Sequence, residues 1–296
     1  NLSKVKKIKQ VCLNVFLTLL SLAFIFPLIL IITTSFAEQS SINNFGYTFF
    51  PKSFTLDAYE YVFRSGTQIL NAYKVTTLLV LVNVPLYLFI RGMTAYALTR
   101  AKWGYKFIRF VYISSFFSGG MIPTYILMTQ YLHLNDTIWI YIIPGIYSIW
   151  DIIIMRTFFR NHPASMIEAA KIDGAREFLI YLKIIIPISL PLYATMAIFS
   201  FMGIWNEWYT SMLYVRNEKL YTLGYVLQLI LKQATFEAET AEAIAGGANI
   251  NMSGNEIPED NIKYAMVIVA AGPAMFIMPF FQKYFKNGLI VGSVKG

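Results

Sequence analysis

One segment of the chain, Pro163-Ala164-Ser165-Met166-Ile167-Glu168-Ala169-Ala170-Lys171-Ile172-Asp173-Gly174-Ala175, combines residue types that suit docking rather than catalysis. Its spacing predicts two short helices joined at Asp173-Gly174, where glycine supplies the conformation that ends the first. Pro163 suits a first helical turn, and Ser165 with Glu168 has capping-box spacing. Ala169 and Ala170 offer almost no side-chain bulk, so another protein's surface can approach the backbone closely. The expected product is a small knob bearing one carboxylate, able to pass a push to the helices on either side of it.

The other residues with chemical potential lie in apolar surroundings. Arg91 and Asp151, the latter beside Trp150, fall inside long hydrophobic stretches. Ionisable groups at such depth are costly and by default face a bundle interior or water. Arg91 is expected to snorkel toward the headgroups; the alternatives are a pair with Asp151 or a place along a translocation path. Asp151 is too short to snorkel far, so an interior polar role is expected. Trp205, Asn206, Glu207, Trp208 and Tyr209 form a cluster able to stack on sugar rings and bond hydroxyls, or to serve as an interfacial aromatic belt. Catalytic sets are missing. The chain has no Gly-x-x-x-x-Gly-Lys-Ser/Thr phosphate loop and no Ser/His/Asp or Cys/His set in a recognisable context. Its single cysteine, Cys12, is expected to pack in a buried position, and two histidines leave little for a metal site.

Hydrophobic residues make up 57% of the 296 and charged ones only 14%, against about 25% charged in soluble domains. With mean hydropathy +0.55, the class is an all-α integral membrane protein. Six stretches are long enough to cross about 30 Å of hydrocarbon: about 11–33, 74–97, 107–130, 137–156, 184–206 and 264–283. The first has too long an apolar part for a cleavable signal peptide. Placing the N-terminus in the cytoplasm puts sixteen Lys and Arg inside and seven outside, with Arg91 in the membrane. That bias predicts cytoplasmic termini. It also explains the net charge of +8 without nucleic acid. Each span contains proline, which bends helices and suits helices arranged around a cavity.

The whole chain, 1–296, reads as one transmembrane domain, with a cytoplasmic loop at 157–183 and an external loop at 207–262. The external segment 34–73 is long enough for a short helix around 57–64, either resting on headgroups or meeting an external partner. The acidic, Gly- and Ala-rich stretch 236–261 reads as a docking surface for an extracytoplasmic protein or as a flexible insert.

Glu168-Ala169-Ala170-x-x-x-Gly174, followed by proline at Pro187 and Pro191, resembles the coupling-loop signature of importer permeases of the ATP-binding-cassette class. The fuller string through Ala175 looks like the carbohydrate branch of that class, which includes the smaller permease subunit of the maltose importer. Thr94–Arg100, Trp205-Asn206-Glu207 and Lys283–Gly296 fit the same branch. Phe117–Tyr125, with its Gly-Gly-Met-Ile-Pro turn, is similar to a Gram-positive oligosaccharide and polysaccharide branch.

That resemblance implies a type I importer permease fold and a place in the cell membrane. It implies that Glu168, Ala169, Ala170, Asp173 and Gly174 dock into a groove of an ATPase subunit, and that Gly288–Gly296 reaches toward the ATPase dimer interface. Partners would be an ATPase dimer that binds ATP and Mg2+, a second homologous permease, an extracytoplasmic sugar-binding lipoprotein, and an oligosaccharide substrate, all within membrane lipid. This chain would not itself be an enzyme and would carry no cofactor or metal. Asp151, Trp150, Arg91, Trp205, Asn206 and Trp208 are the candidates for the substrate pathway. The rival is a secondary transporter of small polar solutes driven by an ion gradient. It would call for coupling-ion ligands near the midplane and usually an internal repeat, and neither is visible in the sequence.

Overall fold

The computed structural model describes residues 2–64, 66–100, 119–248 and 259–291. In chain order its helices are α1 (Leu2–Ser35), α2 (Gln39–Phe45), α3 (Asp57–Phe63), α4 (Gly66–Arg100) and α5 (Met121–Ile126). Then come α6 (Trp139–Ile142), α7 (Ile149–Phe159), α8 (Ala164–Ile172), α9 (Glu177–Ile188) and α10 (Leu190–Trp205). Three more, α11 (Tyr209–Tyr214), α12 (Leu223–Ala248) and α13 (Glu259–Val291), complete the order. Among the described residues no strand forms; one isolated antiparallel bridge joins Ala37 and Phe54. The chain divides into two compact units, Asn1–Gly66 with Leu227–Pro273, and Thr67–Val226 with Ala274–Gly296.

In the first unit α1 is one of the helices among the described residues long and apolar enough to cross a membrane, and none of its apolar window is buried. A helix that is apolar all round has hydrocarbon or another apolar helix as its natural surroundings. Cys12 sits on it and is exposed, which corrects the expectation of a buried cysteine. The short helix expected around 57–64 is α3, whose first N–H donates to Thr55 Oγ1 at 3.1 Å. The 207–262 segment is not one loop, because α11 and α12 occupy much of it. Part of its acidic charge is engaged: Tyr61 donates to Glu237 at 2.8 Å and Tyr47 to Asp260 at 3.5 Å. Burial and that carboxylate push the Tyr61 phenol up to about 12. Residues 249–258, including Glu256, lie outside the described residues.

The second unit holds the functional elements. The expected 74–97 span lies wholly within α4. The first half of the 107–130 span, 107–118, lies outside the described residues; the remainder is Gly119-Gly120, α5 and a π turn at Leu127–Tyr131. Two of the expected spans are interrupted. The 137–156 stretch is broken into α6 and α7 by a turn at Ile143–Gly145. Pro144 stops α6 because it has no N–H for the carbonyl four residues back. The 184–206 stretch bends by 83° at Ser189, between α9 and α10, where Pro187 and Pro191 each withhold a donor. Helix α9 starts at Glu177, before that span, and contains a π turn at Tyr181–Ile185.

A core at the base of this unit gathers Ala95, Tyr96 and Leu98 of α4 with Ile152, Met155 and Phe159 of α7. Ile167 of α8, Ile180, Tyr181 and Ile185 of α9, and Leu192 and Met196 of α10 join it. The knob is thus seated on four longer helices through Ile167, with the half-buried Ala170 packed beside it.

Candidate functional site

A cavity of about 460 Å³ opens within the second unit, lined by residues of α4, the α6–α7 break, α7, α10 and α11. Its wall contains backbone that is not helical. At membrane depth such backbone needs internal hydrogen-bond partners. Helix α4 supplies them from three residues four apart, which a helix stacks on one face. Asn83 Nδ2 donates to Tyr141 O at 3.1 Å. Tyr87 Oη lies 2.9 Å from both Tyr141 O and Ile142 O. Arg91 Nε donates to Ile146 O at 3.1 Å, and its other nitrogens reach Gly145 O and Asp151 Oδ2.

This ladder splints the broken span. Gly145 is required at the contact, since a Cβ there would lie 2.6 Å from Tyr87 Cζ. The Arg91 guanidinium also lies over the Tyr87 ring, 4.5 Å from its centroid, a favourable cation–π arrangement. Asp151 is placed by the start of α7, where Ser148 Oγ accepts its N–H at 3.3 Å. Arg91 therefore does not snorkel: its side chain is 8% exposed and ion-paired with Asp151.

The rim near α11 is held by a second network. Glu207 Oε1 accepts the Thr210 N–H at 2.7 Å, capping α11. Thr222 Oγ1 donates to Glu207 O at 2.5 Å and meets Ser211 Oγ at 2.8 Å, while Ser211 Oγ lies 2.7 Å from Tyr141 Oη. Leu223 N–H donates to Thr76 Oγ1 at 2.9 Å, tying the start of α12 to α4. Asp136 accepts the N–H groups of Arg216 and Asn217 at 2.5 and 2.9 Å, and these bonds lower its carboxyl below the usual range.

At the other end of the unit, α8 forms the knob. Glu168, Ala169, Asp173 and Gly174 are exposed, Ala170 is half-buried, and Ile167 alone is buried. Ile172 at the tip is 86% exposed. Gly174 has φ +77° with open space around it, the left-handed conformation that lets the chain turn toward α9. The expected capping box does not form. Pro163 takes the N-cap position with no side-chain cap, so Ser165 falls inside the helix, where its hydroxyl has no orphan N–H to cap.

Two side-chain ties fix the base of the knob. Glu177, the first residue of α9, pairs with Lys171 of α8, accepts from Tyr96 of α4 at 2.6 Å and lies 3.9 Å from Arg100. Burial alone would raise its carboxyl, but the hydrogen bonds from Lys171 and Tyr96, with the charges of Lys171 and Arg100, hold it below the usual carboxylate range. His162 Nε2 meets Ser189 Oγ at 2.9 Å, linking the entry to α8 with the α9–α10 bend. Burial among Phe158 and Phe159 lowers the His162 pKa, so the ring is held neutral.

Of the residues expected along a substrate path, only Arg91 and Asp151 line the cavity, and they do so as a pair. Trp150 is 63% exposed on the far side of its helix. Trp205 is buried against Phe201 and Tyr73. Asn206 is exposed and donates back to Met202 O, and Trp208 is exposed beside Tyr209. None of these four lines the cavity; Glu207, between them, does. Asn83, Tyr87 and Tyr141 were missed as site residues. The four-residue spacing of Asn83, Tyr87 and Arg91 in an otherwise apolar helix was the signal for them.

A cavity lined by broken helices, joined through one core to an exposed helical knob, fits a component of a transport system. The chain belongs to the family of binding-protein-dependent transport system inner membrane components, whose pattern matches residues 2–291. It is 35% identical to Protein LplC of Bacillus subtilis, over 99% of this chain and 97% of that one. It is 33% identical to the polygalacturonan/rhamnogalacturonan transport system permease protein YtcP of the same organism, over 95% and 96%. In three dimensions it is similar to a chain of a bacterial ABC transporter involved in the import of the acidic polysaccharide alginate. The TM-score is 0.72 at 26% identity, covering 94% of this chain and 97% of that one.

Proposed function

We propose that this chain is a permease subunit of an ATP-driven importer for oligosaccharides or polysaccharide fragments, crossing the cell membrane six times with both termini in the cytoplasm. The observation that carries the reading is the knob. Its carboxylate and Ala169 stand exposed, while Ile167, with the half-buried Ala170 beside it, enters the core shared by α4, α7, α9 and α10. A load applied at Glu168–Gly174 therefore reaches the helices that wall the cavity. Helices α7 and α9 receive it through the chain, and α4 receives it through Glu177.

ATP and Mg2+ belong to a partner ATPase dimer, and closure of that dimer would draw the knob inward. The cavity would then alternate between the two membrane faces and accept sugar from an extracytoplasmic binding lipoprotein. A second, homologous permease chain completes the pore. The sugar assignment draws support from the transported polysaccharides named for YtcP and for the alginate importer. Arg91 and Asp151 act in this path by holding the cavity wall open. Trp150, Trp205, Asn206 and Trp208 are assigned to packing or interfacial roles.

The experiment is reconstitution. The chain, co-expressed with its partner permease and ATPase and placed in liposomes, should hydrolyse ATP faster when sugar-loaded binding protein is added. An ion-gradient transporter would instead take up solute without ATPase and lose uptake with an ionophore.

A further inference from the structure

The polar lining of the cavity is lopsided. Among the described residues its one cation, Arg91, is already committed to Asp151 and to the carbonyls of Gly145 and Ile146. Other lining groups offer acceptors. Asn83 is 1% exposed and spends its amide nitrogen on Tyr141 O, which leaves Oδ1 without a hydrogen-bond partner. Ser200 Oγ, a hydroxyl able to donate as well as accept, is likewise buried and unpartnered. Glu207 uses Oε1 for the Thr210 N–H and contributes its carboxylate to the same lining.

A buried acceptor without a donor is costly, and a ligand that brings a donor recovers that cost. Sugar hydroxyls bring donors. A sugar carboxylate brings only acceptors, and it would meet Glu207, Asp151 and Asn83 Oδ1 with the guanidinium already neutralised. Resting on the reading of this cavity as the sugar path, we infer that it selects neutral, hydroxyl-rich sugar residues over uronate residues, with Glu207 as the specificity-determining side chain. The inference would set this chain apart from two proteins it is similar to, the importer of the acidic polysaccharide alginate and YtcP, which is named for polygalacturonan and rhamnogalacturonan.

The test uses the assembled transporter in nanodiscs without its binding protein, so that the permease cavity alone does the choosing. Two matched probes differ only at C6: a 1,4-linked galactose trisaccharide and the corresponding galacturonate trisaccharide. Dissociation constants come from calorimetry, with saturation-transfer NMR as a second readout of contact. The native complex should bind the neutral probe at least about tenfold more tightly, a gap of about 1.4 kcal/mol. Glu207→Gln should narrow that gap at least about threefold by gaining affinity for the acid, with the neutral probe changed less than about twofold. Equal or tighter binding of the acid by the native complex overturns the inference and leaves the permease reading standing. An unchanged gap in Glu207→Gln removes Glu207 from the role. Binding of neither probe overturns the sugar-path reading of the cavity itself.

Discussion

Arg91 of α4, a helix apolar enough to cross a membrane, and Asp151 of α7, sixty positions apart in sequence, form a largely buried ion pair. The pair is one rung of the ladder that begins at Asn83 and continues through Tyr87, and its partners are the carbonyls exposed by the break at Pro144-Gly145. A charge pair in the interior is weak as a source of net stability, yet removing one partner leaves the other unpaired and is strongly destabilising. Asp151→Ala should therefore lower stability by about 3 kcal/mol, read as a fall in the midpoint of thermal unfolding in detergent. Arg91→Met with Asp151→Leu, which removes both charges, should recover most of it. If the double variant unfolds no later than Asp151→Ala alone, the pair is not the reason.

The close approach of Tyr87 to Gly145 gives a prediction by coupling. Gly145→Ala places a Cβ against the Tyr87 ring and should destabilise by about 1–3 kcal/mol, the range for overpacking. In a Tyr87→Leu background the collision is gone, so the same substitution should cost clearly less. A double-mutant cycle on unfolding midpoints measures the difference, and contacting residues couple by about 0.5–3 kcal/mol. Strict additivity would contradict the contact.

Glu177 predicts a split between ATP consumption and transport. It joins Lys171 on the knob to Tyr96 and Arg100 at the end of α4. Glu177→Ala should leave assembly with the ATPase intact but raise the ATP used per sugar imported by about threefold or more, because α4 no longer follows the knob. Tyr96→Phe should do the same in milder form. A parallel fall of both rates at a constant ratio would indicate a merely structural role.

His162 supplies the pH dependence. Its folded pKa lies below the ordinary value of about 6.5, so the unfolded chain binds the proton more readily than the folded one. Stability from this residue is full above that ordinary value and declines as pH falls toward the folded pKa. Melting curves from pH 7.5 to 5 should show that decline, and His162→Gln, which keeps a bond to Ser189 within reach, should flatten its share. An unchanged slope in the variant would refute the assignment.

What the sequence shows of this molecule follows the range of the forces involved. The knob is local: Gly174 ends one helix, α9 begins three residues later, and Glu168 and Ala169 read directly as exposed surface. The capping box was misread because the helix begins immediately after Pro163, and a shift of one or two residues decides whether a serine can cap. Long apolar windows located the 137–156 and 184–206 stretches, but hydropathy averages straight across Pro144-Gly145 and Ser189. The breaks become stable only through partners elsewhere in the chain: Asn83, Tyr87 and Arg91 for one, His162 for the other. Trp205 illustrates the same limit, since its place at a helix end suggested an open sugar or interfacial surface while packing with Phe201 and Tyr73 buries it. Glu207, its neighbour but one, turns to the cavity because α11 needs a cap.

The most direct measurement replaces exposed residues of the knob without disturbing its seat. Ala169→Trp and Glu168→Arg both lie on the open face of α8, away from Ile167. In cells and in proteoliposomes, each variant should reach the membrane at native levels with an unaltered unfolding midpoint, fail to retain the ATPase subunit on purification, and lose at least about nine-tenths of sugar uptake. Native uptake with the ATPase still bound in both variants would contradict the claim that this helix is where the motor engages the pore.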